Sequence, residues 1–191
     1  MGKDVSPTAF SRDDLVRYRH KVRRCLDVFA LMLSDFDFDT DRPTTGLEIE
    51  LNLVDIEAEP AMRNAEVLAN LADPNFQTEL GQFNLELNAR PRLIAGEGFD
   101  DYERDLTDSI GRAEERAGKL DASLVLIGIL PTLTPAHTVL ETLSAEARYR
   151  LLNEQIIAAR GDEMRIDIRG AEHLQIKMDS IAPEAACTSV Q

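Results

Sequence analysis

The sequence predicts an α+β fold with a largely antiparallel sheet and flanking helices. Two stretches of alternating apolar and polar residues predict strands that are apolar on one face only, which is typical of antiparallel sheets. Strands and helices do not alternate regularly along the chain, as they do in a doubly wound parallel sheet. The 191 residues, 43% of them apolar, suffice for one domain with a sizeable core.

The first predicted helix begins after Ser11. This serine is a typical N-cap, and Asp13 and Asp14 place negative charge in the first turn, where the helix dipole favours it. Apolar residues then recur at spacings of three and four, so we expect this helix to pack against a larger element. The recurring residues are Leu15, Tyr18, Val22, Leu26, Phe29 and Leu33. We expect residues 1–10 to form a flexible N-terminus and residues 36–43, which are rich in Asp, to form a loop.

Two strands and a short helix are predicted in the next 50 residues. Alternation of apolar and polar residues begins at Gly46 and predicts the first strand. A second alternating strand covers residues 82–88 and is expected to end at Arg90 and Pro91. Residues 61–72 between them predict a helix that stops before Pro74, because a proline disfavours helical geometry in the residue before it.

The second half of the chain predicts two more helices, a strand and a hairpin. Residues 99–120 form a charged amphipathic pattern, and residues 144–160 form a helix that ends before Gly161. Residues 123–130 are a continuous apolar run of strand length, so we expect a central strand buried on both faces. Residues 165–169 and 173–178 are predicted to pair as a hairpin.

Charge and apolar content exclude two classes of partner. The chain has 21 basic and 35 acidic residues, a net charge of −14, and no basic cluster with interleaved aromatics, so we expect no nucleic-acid partner. The longest apolar run, residues 122–130, is much shorter than the roughly 20 residues that cross a bilayer. Two distant cysteines and no signal-like apolar segment indicate a reducing, cytoplasmic location. The sequence does not determine the oligomeric state, and a homo-oligomer is possible.

The polar faces of the two alternating strands carry the most informative residues. Glu48 and Glu50 are two positions apart, hence about 6.6 Å apart on one face, and repel by roughly 2.5 kcal/mol at an effective dielectric of about 20. Glu86 is on the polar face of the second strand. Between Thr44 and Asn88 there are nine acidic residues and one basic residue, Arg63. The nine are Glu48, Glu50, Asp55, Glu57, Glu59, Glu66, Asp73, Glu79 and Glu86.

These carboxylates, interspersed with Asn52, Asn84 and Asn88, offer oxygen ligands that suit Mg²⁺ or Mn²⁺ better than zinc. Magnesium commonly shares its remaining positions with substrate phosphates, so the pattern suggests an ATP site. The alternative is that this face is the solvated side of an antiparallel sheet, where polar alternation is ordinary.

The amino-acid sequences of four segments resemble those of the glutamate-cysteine ligase family, in the branch of the bacterial carboxylate-amine ligases. The segments are residues 45–51, residues 77–88, residues 128–132 and the Arg148-Tyr149 pair, and the likeness extends from about Arg42 to Gln191. The resemblance implies the antiparallel catalytic fold shared with glutamine synthetase. It also implies an ATP-dependent ligase of glutathione-like thiol biosynthesis, which joins the γ-carboxylate of glutamate to an amine, most simply cysteine, through an acyl phosphate.

The resemblance also implies roles for individual residues. Family magnesium ligands correspond to Glu48, Glu50 and Glu86, with Glu79 as a fourth. Arg148 and Tyr149 correspond to an Arg-Tyr pair beside the amino-acid substrate, and no side-chain nucleophile is required.

The family members are longer, so we expect residues 1–191 to be an incomplete N-terminal part of a single catalytic domain. A metal-binding histidine and most ATP-phosphate-binding groups are expected beyond Gln191, and this part alone is expected to be inactive. The rival hypothesis is a catalytically silent acidic module that binds divalent metal or a basic protein partner.

Overall fold

The computed structural model describes residues 10–36, 38 and 41–191, and it confirms an α+β architecture with an antiparallel sheet. The helices are α1 Arg12–Asp35, α2 Asn64–Leu71, α3 Gly98–Gly118 and α4 Ala147–Arg160. The strands are β1 Thr44–Val54, β2 Phe76–Thr78, β3 Asn84–Leu93, β4 Ser123–Val125, β5 Met164–Arg169 and β6 His173–Met178. Strands β5 and β6 form the predicted hairpin. None of the described helices is long and apolar enough to span a bilayer.

A four-stranded antiparallel sheet in the order β2-β3-β1-β4 organises the main core. Leu51 of β1 pairs with Leu85 of β3, and both side chains are fully buried against helices α2 and α3. Helix α3 presents Ala113 and Ala117 to the sheet, and both are completely buried. Their small side chains let the helix approach the strands closely, so α2 and α3 cover the apolar face predicted by the alternating pattern.

A second core covers one end of the opposite face. Phe83, which precedes β3, is fully buried there with Tyr149 of α4, Leu143, and the turn that contains Ile181 and Ala182. This cluster closes the end of the sheet near Val54. The other end, which carries Glu48, is left more accessible.

Strand β3 extends past Arg90 and Pro91 to Leu93, so the predicted end of this strand was wrong. The register changes here: Leu47 pairs with Ala89, but Thr45 pairs with Arg92, so that Arg90 and Pro91 together face Gly46. This is a β-bulge, one of the few places in a sheet where proline is tolerated. Strand β2 pairs only with residues 85–87 of β3, so Pro91 displaces no hydrogen bond on that edge.

The apolar run at residues 123–130 does not form the predicted central strand. Only Ser123–Val125 is a strand, and it lies at the edge of the sheet, paired with residues 52–54 of β1. Leu126 and Ile129 are 59% and 55% exposed. The next stretch of the same β1 edge, residues 48–50, is taken by residues 189–191, which donate and accept backbone hydrogen bonds there. Residues 126–130 therefore find no free edge of β1 with which to pair.

Helix α1 begins at the predicted cap. The Ser11 hydroxyl accepts from the Asp14 amide at 3.1 Å, and the Asp14 carboxylate accepts from the Ser11 amide at 3.0 Å. No α1 side chain is buried by the part of the chain that the structure describes, so the expected packing against a larger element is not found there. Residues 1–9, most of the predicted flexible N-terminus, lie outside the described residues, as do positions 37, 39 and 40 of the predicted loop.

Candidate functional site

The sheet register brings the predicted carboxylates to one face. Glu50 of β1 lies directly opposite Glu86 of β3, and Glu48 lies opposite Asn88. Gln77 of β2 is opposite Glu86 from the other side. Directly opposed side chains in an antiparallel pair have Cβ atoms about 5 Å apart. The alternating pattern predicted the faces correctly, and the register adds the pairing of Glu50 with Glu86.

Glu86 is the most restrained of these carboxylates. It is 9% exposed, and its Oε1 accepts from Gln77 Nε2 at 2.8 Å and from Asn88 Nδ2 at 2.7 Å. Burial raises the pKa of Glu86, but hydrogen bonds from Glu79, Gln77 and Asn88 outweigh it and hold the pKa below its usual value. Glu86 is therefore ionised at neutral pH.

Glu79 follows β2 and lies beside Glu86. Burial, followed by the hydrogen bond to Glu86, raises the pKa of Glu79 from 4.5 to about 7, and the negative charges of Glu86 and Glu50 add to this increase. Near neutral pH the two carboxyl groups share one proton, as expected for like charges in contact. A divalent cation could take the place of this proton, because metal binding requires deprotonated ligands.

The predicted substrate residues lie next to this carboxyl pair. Glu79, Glu86, Arg148, Tyr149 and Leu152 line a cavity of about 380 Å³. Arg148 Nη2 donates to the Tyr149 hydroxyl at 2.6 Å, and the guanidinium carbon lies 4.6 Å from the centre of the tyrosine ring.

The Tyr149 hydroxyl in turn donates to the Thr78 carbonyl at 3.0 Å. Burial, then the charge of Glu79, raises the pKa of Tyr149. Tyr149 therefore stays a neutral donor that links α4 to the end of β2 and orients Arg148 beside the carboxylates.

The other two predicted metal ligands lie further along the face. One Glu50 side-chain oxygen accepts from the Ser189 amide at 2.7 Å. Glu48 lines a different cavity from Glu79 and Glu86. Within residues 10–36, 38 and 41–191, no group of three or more His, Cys, Asp or Glu side chains lies close enough to hold a metal ion. The four carboxylates share a face rather than one compact centre, and oxygen donors of this kind fit Mg²⁺ in type.

Two of the asparagines predicted as oxygen ligands have a different role. Asn52 and Asn84 are 0% and 1% exposed, and Asn84 Nδ2 donates to Asn52 Oδ1 at 3.0 Å. Asn52 Nδ2 donates to the Ile127 carbonyl at 3.0 Å. Both amides are buried inside the protein, where they bond to one another and to the Ile127 carbonyl, whereas Asn84 Oδ1 has no hydrogen-bond partner among the described residues.

No pattern in the sequence indicated the role of a third buried amide, Asn64, at the edge of the site. Asn64 Nδ2 donates to the Gly81 carbonyl at 3.1 Å and to the Ser144 hydroxyl at 2.8 Å. Ser144 also donates to the Glu79 carbonyl. Asn64 and Ser144 therefore fix the backbone of the segment that carries Glu79.

No protein-family model, curated protein or solved structure matches this chain.

Proposed function

We propose that this chain is part of an ATP-dependent carboxylate-amine ligase of the glutamate-cysteine ligase type. The observation that carries the proposal is the single cavity lined by Glu79, Glu86, Arg148 and Tyr149, with Glu50 directly opposite Glu86. It combines oxygen ligands for a divalent cation with a guanidinium that fits a carboxylate. The motif resemblance to that family supports the same reading, and the corresponding fold is the glutamine synthetase-like one.

The proposed reaction forms an acyl phosphate and then an amide. A γ-carboxylate oxygen of glutamate attacks the γ-phosphorus of ATP, and ADP leaves. The nitrogen of the amine, most simply cysteine, then attacks the acyl carbon, inorganic phosphate leaves, and the nitrogen loses a proton. Most of the rate enhancement in such a reaction comes from positioning and from charge stabilisation.

Each residue of the site would have its own role in this reaction. Arg148, held against Tyr149, would bind a substrate carboxylate through two parallel hydrogen bonds. Glu79 and Glu86 lie together, and Glu50 and Glu48 lie further along the same face; magnesium bound among these four carboxylates would neutralise charge on the transferred phosphoryl group. Gln77 and Asn88 would keep Glu86 ionised at neutral pH through their hydrogen bonds to it. We assign this activity to the cytoplasm.

The direct test is whether the full-length protein releases ADP from ATP in the presence of glutamate, cysteine and Mg²⁺. We expect ADP release that requires all three and that Glu48→Gln abolishes. This substitution keeps the shape of the side chain and removes only its charge. Glu66→Gln is the matched control, because Glu66 is exposed on α2, away from the polar face, and we expect it to retain full activity.

Two results would refute the proposal. One is the absence of Mg²⁺-dependent ADP release with any amine in a panel of amino acids and amines, which would favour the silent acidic module. The other is unchanged ADP release in Glu48→Gln, which would remove the metal assignment.

A further inference from the structure

A second cavity lies at the Gly46 end of the sheet, and we propose that it binds the oxyanion of a small organic molecule through Arg90. Its volume is about 670 Å³, within the usual range for small-molecule sites. Leu47, Pro74 and Pro91 supply apolar walls, and Glu48 and Arg90 supply opposite charges. A mostly apolar cavity with a few convergent polar groups is the usual form of a ligand site.

Arg90 differs from the arginines around it in having no acidic partner. Arg92 pairs with Asp105, and Arg112 pairs with Asp73 at 3.1 Å. In contrast, the Arg90 guanidinium makes no ion pair or hydrogen bond with any residue that the structure describes. This happens in a chain with 35 acidic and 21 basic residues. All five donors of this guanidinium are therefore available to an oxyanion.

The backbone at Arg90 is fixed although its side chain is free. Arg90 and Pro91 form the bulge opposite Gly46, and bulges next to functional sites often redirect a side chain. The Tyr102 hydroxyl, which comes from α3, lies within hydrogen-bond distance of the Arg90 carbonyl, at 3.2 Å, and also of the Thr45 carbonyl. Both strands of the bulge are thus anchored to the helix, and Arg90 stands at the rim of the cavity on a rigid support.

Glu48 narrows the chemistry of the ligand. A lone anion would be repelled by the Glu48 carboxylate in the same cavity. The ligand therefore carries an oxyanion for Arg90 and a positive charge for Glu48. Two sources supply this combination: an amino acid, with its carboxylate and ammonium groups, and a nucleotide phosphate accompanied by a divalent cation.

Calorimetric titration of the full-length protein tests this inference. The probes are L-glutamate, glutarate, Mg-ATP, and ATP in EDTA. We expect binding of L-glutamate or of Mg-ATP, and at least tenfold weaker binding of the probe that lacks the positive charge. We also expect Arg90→Gln to weaken binding by about tenfold or more, the loss of one charge-assisted hydrogen bond. Binding of L-glutamate alone identifies an amino-acid site, and binding of Mg-ATP alone identifies a phosphate site.

Arg150→Gln is the matched control. Arg150 is exposed on α4, is likewise without an ion pair to any described residue, and lines neither of the two cavities. We expect it to bind within twofold of the wild type. Equal affinities for the Arg90→Gln and Arg150→Gln variants, or no binding of any probe, would overturn the inference. So would a loss of binding in Arg148→Gln but not in Arg90→Gln, because the anion would then occupy the cavity at Glu79.

This test separates the inference from the ligase proposal. Glu50→Gln keeps an oxygen acceptor for the Ser189 amide and leaves Arg90 intact. Suppose that the wild-type full-length protein releases no ADP, but that binding in the Glu50→Gln variant still depends on Arg90. The ligase proposal would then be refuted, and the anion site at Arg90 would be supported.

Discussion

Glu79→Gln should change the pH dependence of stability in a direction that the structure determines. The folded protein raises the pKa of Glu79 from 4.5 to about 7 through burial and the hydrogen bond to Glu86. Between these two pH values the folded state holds a proton that the unfolded chain has released. The free energy of unfolding contributed by this group therefore falls as the pH rises from about 4.5 to about 7.

The size of this effect follows from the same pKa change. At about 1.4 kcal/mol per pKa unit, a rise from 4.5 to about 7 corresponds to at most roughly 3 kcal/mol, and partial exposure of Glu79 and the opposite pKa change of Glu86 reduce this value. Glutamine cannot ionise, but its amide can still donate to the Glu86 carboxylate. We therefore expect Glu79→Gln to be more stable than the wild type by up to about 3 kcal/mol at pH 8, with most of this difference gone at pH 4.5.

Urea unfolding followed by circular dichroism, in EDTA at pH 4.5 and at pH 8, measures this difference directly. Glu66→Gln is the control for charge alone, because Glu66 is exposed, and we expect little difference from the wild type at either pH. If the difference in free energy of unfolding between Glu79→Gln and the wild type is the same at both pH values, Glu79 and Glu86 do not share a proton. A variant less stable at pH 8 would reverse the sign and refute the reasoning.

Two further predictions concern the scaffold. Leu85→Ala should lower the free energy of unfolding by about 2–5 kcal/mol, because Leu85 is completely buried, whereas Leu126→Ala should have a small effect because Leu126 is 59% exposed; urea titration of both variants tests the contrast. Gly81→Ala should be destabilising, since the new methyl would collide with the Asn84 side-chain oxygen, and Gly111→Ala should stabilise by up to about 1 kcal/mol, because it meets no atom within 4 Å in the middle of α3. Equal melting temperatures for the two glycine variants would contradict this reading of the site.

Periodicity identified the faces of β1 and β3 but could not identify their partners. The alternation shows that Glu48, Glu50 and Glu86 lie opposite the apolar side of their strands. It carries no information on register, which depends on how the apolar faces pack together. The pairing of Glu50 with Glu86 and the contact of Glu86 with Glu79 therefore became visible only in the folded chain.

The wrong predictions have the same physical origin. An apolar run such as residues 123–130 is compatible with a buried strand, but burial requires a free strand edge, and residues 189–191 occupy the one it would need. Likewise, Pro91 ends a regular strand but is accepted in a bulge, and a bulge depends on the partner strand. The buried roles of Asn52 and Asn84 depend on the segments that cover them, which local sequence cannot specify.

The two faces of the four-stranded sheet explain how the fold tolerates the Glu79–Glu86 carboxyl pair, which opposes folding. Leu51 and Leu53 of β1 are 1% and 0% exposed on the core face of the sheet. Burial of a leucine side chain stabilises by about 1.5–3 kcal/mol, so these two residues together offset the roughly 3 kcal/mol that ionisation of Glu79 costs. Stability supplied on one side of the sheet thus permits like charges to remain close on the other, where a bound cation would relieve them.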